Sequence, residues 1–208
     1  MNRGTQMISK EQTKMAKEIF KKYNYVMATY ELINEKLYYA DIKRLLNEKK
    51  IERIRQGYYF WIESSEIGEI AIINKLFPDA ILCMETALFY YGYSNRTPSK
   101  WSFTIDRNVS KYRTKIEYPF VKVYRMESDL MPLGESEGKI DYEKVRIYDR
   151  DRTICDVLKN MNKMDKEIFN KAIQNYINDS KKNIPNLMYY AKIMHVQKKV
   201  NDIIEVWL

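Results

Sequence analysis

The sequence has few of the residues that build most catalytic and metal sites. Its 208 residues include one histidine, His195, and two cysteines, Cys83 and Cys155. A single histidine excludes histidine-based triads and His-rich metal sites formed within one chain. Both cysteines lie in apolar stretches and lack C-x-x-C spacing, which favours buried free thiols in a reducing compartment over a zinc site. The sequence therefore predicts no catalytic residue and no metal.

Long apolar runs and glycine-rich motifs are also missing. No run approaches the roughly 20 apolar residues of a membrane span, and the start MNRGTQMISKEQ lacks the apolar core of a signal peptide. The six glycines form no phosphate-binding loop of either common type. A hydrophobic content of 45% still allows a packed core. We expect a cytoplasmic protein with no membrane contact and no cofactor.

Positive charge is concentrated in the first part of the chain. Residues 1–62 contain 13 Lys/Arg and 7 Asp/Glu, a net charge of +6, whereas the remaining residues contain 23 and 21, a net charge of +2. This asymmetry favours a polyanion-binding N-terminal part and a nearly neutral remainder. The polar stretch ESSEIG follows at 63–68. We therefore predict two domains, residues 1–62 and 63–208.

Hydrophobic spacing predicts three helices in the first domain. They cover about 9–22, starting at a Ser9–Gln12 capping box, about 30–35, capped by Thr29, and about 39–48. The last two are separated by a short break, as in a helix-turn-helix. In the third helix Ile42, Leu45 and Leu46 face the core, so the opposite face can enter a DNA major groove.

The stretch RIRQGYYFW predicts a basic hairpin directly after that helix. Arg53 and Arg55 flank Ile54, so strand alternation points both arginines outward when Ile54 faces the core. Gln56 and Gly57 supply the turn. A hairpin in this place is the wing of a winged helix-turn-helix, although the same elements also form generic cores and protein-binding domains. The predicted DNA-binding residues are Tyr39, Lys43, Arg44 and Asn47 on the helix, and Arg53, Arg55, Gln56 and Tyr58 on the hairpin.

The second domain has mixed helix and strand signals. Two helices are predicted on either side of Pro78-Asp79, with Gly92 after the second. Strands are predicted at 101–105, 120–125 and 145–148, and helices at about 151–161, 165–178, 186–194 and 196–206. The predicted fold class is α+β, with an N-terminal winged helix-turn-helix followed by a mixed domain that ends in a helical bundle.

The stretch YDRDRTICD places a charged cluster at a strand–helix junction. Asp151 is predicted to cap the helix, and Arg152 and Asp156 are four residues apart on one face and can pair. One interpretation is a structural polar cluster. Others are an exposed surface that recognises a partner or nucleotide-like group, or an acid–base site. The cluster comprises Asp149, Asp151, Arg152, Thr153 and Asp156.

Three blocks of the sequence resemble the AbiEi family of antitoxins, from type IV toxin–antitoxin and abortive-infection systems that defend against phage. They are RIRQGYYF, CMETALFYYGYS and YDRDRTICDVL, of which the third is the most specific. The family often has a histidine before the glycine of the second block, where this chain has Tyr91. This difference favours a packing role for that block.

The resemblance implies a non-enzymatic protein with two functions. The N-terminal domain would repress its own operon by binding inverted repeats in double-stranded DNA. The C-terminal domain would counter a nucleotidyltransferase-like toxin without forming a stable complex with it. The alternative is a plain winged-helix transcriptional regulator whose second domain senses a ligand or dimerises.

Overall fold

The computed structural model describes residues 3–63 and 68–204, with side chains from Lys10 onward. The chain forms two compact units. Unit 1 comprises residues 1–78 and 115–119, and unit 2 comprises 79–114 and 120–208. This division differs from the predicted boundary after residue 62, because the helix that ends at Leu76 belongs to unit 1.

Unit 1 alternates short helices with three strands. Its elements are α1 (Arg3–Lys22), β1 (Val26–Ala28), α2 (Thr29–Asn34), α3 (Tyr39–Asn47), β2 (Ile51–Arg55), β3 (Tyr58–Trp61) and α4 (Glu69–Leu76). The strands form an antiparallel sheet in the order β1-β3-β2. Helix α4 is fixed to this unit by Lys75, whose Nζ lies 2.5 Å from Glu31 Oε1. The short segment 115–119 joins through Glu117, whose N–H donates to the Ile54 carbonyl.

The helices of unit 1 follow their apolar spacing, but two starts differ from the prediction. Helix α1 begins at Arg3, ahead of the predicted Ser9 cap. Thr29 is the first residue of α2 rather than its cap, and the Glu31 carboxylate accepts from the Ala28 N–H at 2.7 Å instead. The apolar faces meet in one core, whose fully buried members include Phe20, Leu32 and Leu45. This core holds α3 with its opposite face outward.

Unit 2 combines a mixed sheet with one helix between its strands and four helices after its last strand. Its strands are β4 (Ile81–Leu82), β5 (Trp101–Asp106), β6 (Val121–Met126), β7 (Glu135–Ile140) and β8 (Glu143–Tyr148), in the order β6-β5-β4-β8-β7. Its helices are α5 (Met84–Tyr90), α6 (Arg150–Asn160), α7 (Lys166–Ile177), α8 (Ile184–Ile193) and α9 (Gln197–Ile203), with single 3-10 turns at Lys111–Thr114 and Met161–Lys163. Helices α6 to α9 bury a common core that includes Ile154, Tyr176 and Leu187.

The mixed α+β class is confirmed. The three predicted strands are present, and the predicted C-terminal helices are present as far as Ile203, whereas positions 205 and 206 of the last predicted helix lie outside the described residues. Gly92 follows α5 with a φ of +73°, as its predicted role after the helix requires. Strand β7 was missed because its sequence ESEGKI places charged residues where a strand usually shows apolar ones. In the parts of the chain that the structure describes, no helix has the length and apolar character needed to cross a membrane.

Candidate nucleic-acid interface and buried polar cluster

Helix α3 presents a polar stripe to solvent. Tyr39 is 79% exposed, and Lys43 and Asn47 are exposed in the two following turns. Their four-residue spacing puts the three side chains on one helix face. The opposite face is fixed because Ile42 and Leu45 are buried in the core of unit 1. The prediction that this face of α3 is available for contact therefore agrees with the structure.

A groove of about 610 Å³ runs between α3 and the hairpin. Lys43, Lys49 and Arg53 bring positive charge to its walls. Glu52 and Glu117 also line it, so the walls carry both signs of charge. A helix flanked by a basic hairpin is suited to a groove of a nucleic acid duplex, because the backbone phosphates lie on both sides of that groove.

Arg44 differs from its predicted role as an outward DNA contact. Its Nη1 donates to Thr13 Oγ1 at 3.0 Å and lies 3.3 Å from Glu48 Oε2. The guanidinium is therefore directed along α3 and towards α1, and its charge is paired within the unit. Glu48 directly follows the last residue of α3, and it could not be identified as this partner until the direction of the Arg44 side chain was known.

Arg55 also differs from its prediction, because a β-bulge interrupts the hairpin. Arg53 pairs with Tyr59 and Arg55 with Tyr58, so one extra residue stands between the two arginines. A bulge changes the direction of the side chains that follow it. Arg53 remains exposed and makes no side-chain hydrogen bond within residues 3–63 and 68–204. Only one of the two predicted wing arginines thus points freely outward.

The bulge directs Arg55 back onto its own unit. Its Nη1 donates to the Leu76 carbonyl at 3.2 Å, and its guanidinium lies 4.2 Å from the ring centroid of Tyr58. The ring of Phe77 is 5.5 Å away on α4's side. Arg55 and Tyr58 therefore connect the hairpin to α4, and Tyr58 is half-buried rather than free for a ligand.

The tip of the hairpin is anchored to the start of α2. Gly57 has a φ of +76°, which confirms the predicted Gln56-Gly57 turn. Its carbonyl accepts from the Thr29 N–H at 2.8 Å and from Thr29 Oγ1 at 3.2 Å. Gln56 is exposed at this tip. The hairpin and the helix pair are consequently held together by two hydrogen bonds to a single oxygen.

The charged cluster of unit 2 surrounds the start of α6. Asp149, rather than the predicted Asp151, is the N-cap, since its Oδ1 accepts from the Arg152 N–H at 2.7 Å. Asp151 is buried in the first turn, where its Oδ1 accepts from Tyr176 Oη at 2.7 Å and from the Asn183 N–H at 2.8 Å. Asp151 therefore ties α6 to α7 and to the start of α8.

Arg152 is fully buried at the centre of this cluster. Its Nη1 donates to the carbonyls of Leu130 and Leu133, at 3.1 and 2.5 Å, and its guanidinium lies 4.2 Å from the centroid of the Tyr148 ring. Its Nε is 3.4 Å from Asp156 Oδ2, so the predicted Arg152–Asp156 pair is confirmed. Burial raises the pKa of Asp156 to about 6, against the attraction of the neighbouring guanidinium.

Two further residues, Gly134 and Tyr91, contact this cluster, although neither was predicted to lie there. Gly134 has a φ of +73°, and a Cβ added there would lie 2.4 Å from the Cβ of Arg152. Its carbonyl accepts from the Asp149 N–H at 2.8 Å. Tyr91, which stands where the AbiEi family often has histidine, donates from Oη to the Tyr148 carbonyl at 2.9 Å. Both residues pack the cluster, and only Tyr91 lies in a sequence block for which a packing role was predicted.

Four of the five predicted cluster residues are buried, and Asp149 is half-buried. The side chains of Asp151 and Thr153 are hydrogen-bonded within unit 2. The exposed partner-recognition surface considered above is therefore not formed by these residues, and the structural interpretation is the better one. Asp156 is the exception, since it borders a cavity in unit 2.

A scan against protein-family models finds no match to this sequence, and a search of curated proteins finds none either. Within residues 3–63 and 68–204, no three His, Cys, Asp or Glu side chains are grouped as metal ligands. Function is therefore inferred from the exposed stripe of α3, the hairpin beside it and the three sequence blocks.

Proposed function

We propose that unit 1 is a winged helix-turn-helix that binds double-stranded DNA. The supporting observation is the exposed Tyr39–Lys43–Asn47 stripe of α3 beside a hairpin that carries Arg53. The element order of helix, strand, two helices and two strands, with the sheet order β1-β3-β2, also matches this class of domain. Helix α3 is the recognition helix in this proposal, and the β2–β3 hairpin is the wing.

The dimensions of α3 suit a major groove. A helix with its side chains is about 10–12 Å in diameter, and the major groove is about 12 Å wide, so α3 can enter it. Lys43 and Asn47 would then reach base edges, with Tyr39 at the end of the helix near the backbone. Arg53 and Gln56 would lie along phosphates or a minor groove. Arg44 and Arg55 would support the interface from behind.

For the whole chain we propose an antitoxin that also represses its own operon by binding inverted repeats. The functional partner would be a nucleotidyltransferase-like toxin that forms no stable complex with it. Three blocks of AbiEi-like sequence support this proposal, and they lie in both units. The buried position of the third block gives it a structural role, since it holds α6 against the sheet and the bundle. No catalytic residue is required by this function.

Fluorescence anisotropy with the DNA upstream of the gene tests the interface. Lys43→Gln should weaken binding about tenfold, because a lost base contact costs about 1–3 kcal/mol. Arg53→Gln should lower the slope of log affinity against log salt by about one, because one phosphate contact is lost. Lys198→Gln removes the same charge from an exposed site in unit 2 and should change neither quantity. Wild-type affinity and slope in both unit 1 variants would overturn the proposal.

A growth assay tests the antitoxin function separately. Cells that express the toxin encoded beside this gene should recover growth when the wild-type chain is supplied. The Lys43→Gln and Arg53→Gln double variant should rescue equally well, since its changes leave unit 2 untouched. No rescue by a folded wild-type chain would exclude an antitoxin while leaving DNA binding standing.

The second candidate function is a winged-helix regulator whose unit 2 senses a small ligand. One observation favours it, namely the cavity in unit 2 that a buried carboxylate borders. Such a regulator would bind DNA as above and would give no rescue from a toxin.

A further inference from the structure

Unit 2 contains a cavity of about 450 Å³, which is within the usual range of small-molecule sites. Met84, Met126 and Leu130 supply apolar surface to its walls, and the ring of Tyr124 adds an aromatic side. These side chains suit a flat organic ring. The cavity lies beside the buried cluster, because Arg152 Nη2 is 2.8 Å from Met126 Sδ.

A buried carboxylate without a complete set of hydrogen bonds borders this cavity. Asp156 is only 4% exposed, and its Oδ2 accepts no hydrogen bond from any residue in the described chain. This oxygen is fully enclosed and lies 3.4 Å from Arg152 Nε, so the ion pair with Arg152 holds it. The other carboxylate oxygen, Oδ1, accepts no hydrogen bond within the described chain either, and it is not among the fully enclosed atoms. Because buried polar groups almost always have a partner, Oδ1 can accept from a ligand in the cavity.

Met84 gives independent support for a built site. It is 1% exposed and has a φ of +46°, in the left-handed region that side chains other than glycine rarely adopt. Strained backbone of this kind concentrates at ligand sites, where the surrounding packing maintains it. Asn160, which also lines the cavity, donates from Nδ2 towards Met84 Sδ at 3.8 Å and to the Asp156 carbonyl at 2.9 Å.

The cavity opening is basic. The Arg125 guanidinium donates to the carbonyls of Arg107 and Val109 and to Thr114 Oγ1, all of them neutral acceptors, so its charge is not neutralised. Lys159 is exposed and forms no ion pair within residues 3–63 and 68–204. Arg107 and Glu127 pair with each other at the same opening. The opening can therefore attract an anionic group while the interior offers an acceptor.

We propose that this cavity binds a nucleoside phosphate whose base carries an exocyclic amine. The base would lie among Met84, Met126 and Tyr124, its amine would donate to Asp156, and its phosphates would meet Arg125 and Lys159. Uracil fits poorly, because its ring N–H stands between two carbonyl oxygens that the Asp156 carboxylate repels. This inference develops the ligand-sensing candidate and does not depend on DNA binding.

The cavity is built for binding rather than for covalent chemistry. Burial raises the pKa of the Cys83 thiol well above its usual range, and it raises the pKa of Tyr124 to about 12. Both groups therefore stay protonated at neutral pH, and neither supplies an anionic nucleophile.

Isothermal titration of the full chain with ATP, GTP, CTP, UTP and tripolyphosphate tests the proposal. At least one amine-bearing nucleotide should bind about tenfold tighter than UTP, and tripolyphosphate should bind weakly. Lys159→Glu should weaken every nucleotide several-fold. Lys166→Glu makes the same charge change at an exposed residue of α7 that does not line the cavity, and it should have no effect.

Asp156→Asn should reduce the preference for amine-bearing bases over UTP. If that variant fails to fold, the base ranking and the Lys159→Glu result still decide the outcome. The proposal is overturned if no nucleotide binds at millimolar concentration, if UTP binds as well as the others, or if Lys159→Glu binds as the wild type does. Reduced nucleotide binding in Arg53→Gln would place the ligand on unit 1 instead and would equally overturn it.

Discussion

Helices α3 and α6 carry the same ion-pair spacing in opposite environments. In α3 the Arg44 Nη1 lies 3.3 Å from Glu48 Oε2, and in α6 the Arg152 Nε lies 3.4 Å from Asp156 Oδ2. The side chains of the first pair are 24% and 34% exposed, whereas those of the second are 0% and 5% exposed. The two ion pairs therefore have the same spacing in the sequence and nearly the same N–O distance, but the second pair is far more desolvated.

The difference shows how two charge-rich helices acquire different roles. Solvent screens the pair in α3, so such a pair is worth about 0.3–0.5 kcal/mol and its partners can be diverted to a ligand at little cost. In α6 the removal of one partner leaves a buried charge uncompensated, which costs about 3–5 kcal/mol. The first pair leaves the exposed face of α3 available for binding, whereas the second pair fixes α6 within unit 2 and leaves only the Asp156 carboxylate at a cavity wall.

Arg152→Met should have the largest effect. It removes the donor to two loop carbonyls and the counter-charge of Asp156, so the free energy of unfolding should fall by about 3–5 kcal/mol. Urea denaturation followed by circular dichroism measures this fall. Arg152→Lys keeps the charge but loses the several N–H donors of the guanidinium. Its free energy of unfolding should lie between those of the wild type and the methionine variant. If the free energy of unfolding of Arg152→Met falls by less than about 1 kcal/mol, the buried pair in α6 contributes no more to stability than the exposed pair in α3.

Gly134→Ala should have the next largest effect, with Gly92→Ala as its matched control. Both glycines have a φ of +73°, but a Cβ at 134 meets the Cβ of Arg152, whereas one at 92 meets nothing within 4 Å. We expect a loss of about 3 kcal/mol at 134, from strain and overpacking together, and about 1 kcal/mol at 92, from strain alone. Equal losses in thermal or urea unfolding would show that Arg152 does not pack as described.

Arg44→Met should have the smallest effect. The loss of its exposed ion pair should lower the free energy of unfolding by about 0.5 kcal/mol or less. DNA affinity should fall less than in Lys43→Gln, since Arg44 faces Thr13 and Glu48. An affinity loss as large as that of Lys43→Gln, measured by the same anisotropy assay, would mean that the Arg44 guanidinium leaves Glu48 and contacts the duplex.

Much of unit 1 could be predicted from local sequence patterns. Gln56 and Gly57 identified the hairpin because the turn needs a positive φ, and the apolar spacing of Ile42 and Leu45 identified the buried face of α3. The exposed positions Tyr39, Lys43 and Asn47 follow directly from that face. Arg55 could not be placed in this way, because a β-bulge reverses the alternation on which the prediction depended.

In unit 2, the role of Arg152 and the cap of α6 depend on contacts between residues far apart in the sequence, so they could not be predicted from local patterns. The role of Arg152 depends on the carbonyls of Leu130 and Leu133, which come from a loop about 20 residues earlier. Asp151 was wrongly predicted as the cap for the same reason. Its carboxylate accepts a hydrogen bond from the Tyr176 hydroxyl, and Asp149 caps the helix instead. Strand β7 was not recognised because its charged residues alternate at a sheet edge, where pairing with β8 replaces apolar burial as the local determinant.

The close approach of Gly134 to Arg152 also constrains how this sequence can diverge. A side chain can enter position 134 only after the stem of residue 152 has become smaller, and a smaller residue 152 leaves Asp156 without its counter-ion. Positions 134, 152 and 156 are therefore linked. Related sequences that fold should either keep all three residues or change all three together. Gly92 has the same backbone conformation but open space around it, so a change there costs only backbone strain and requires no second change elsewhere.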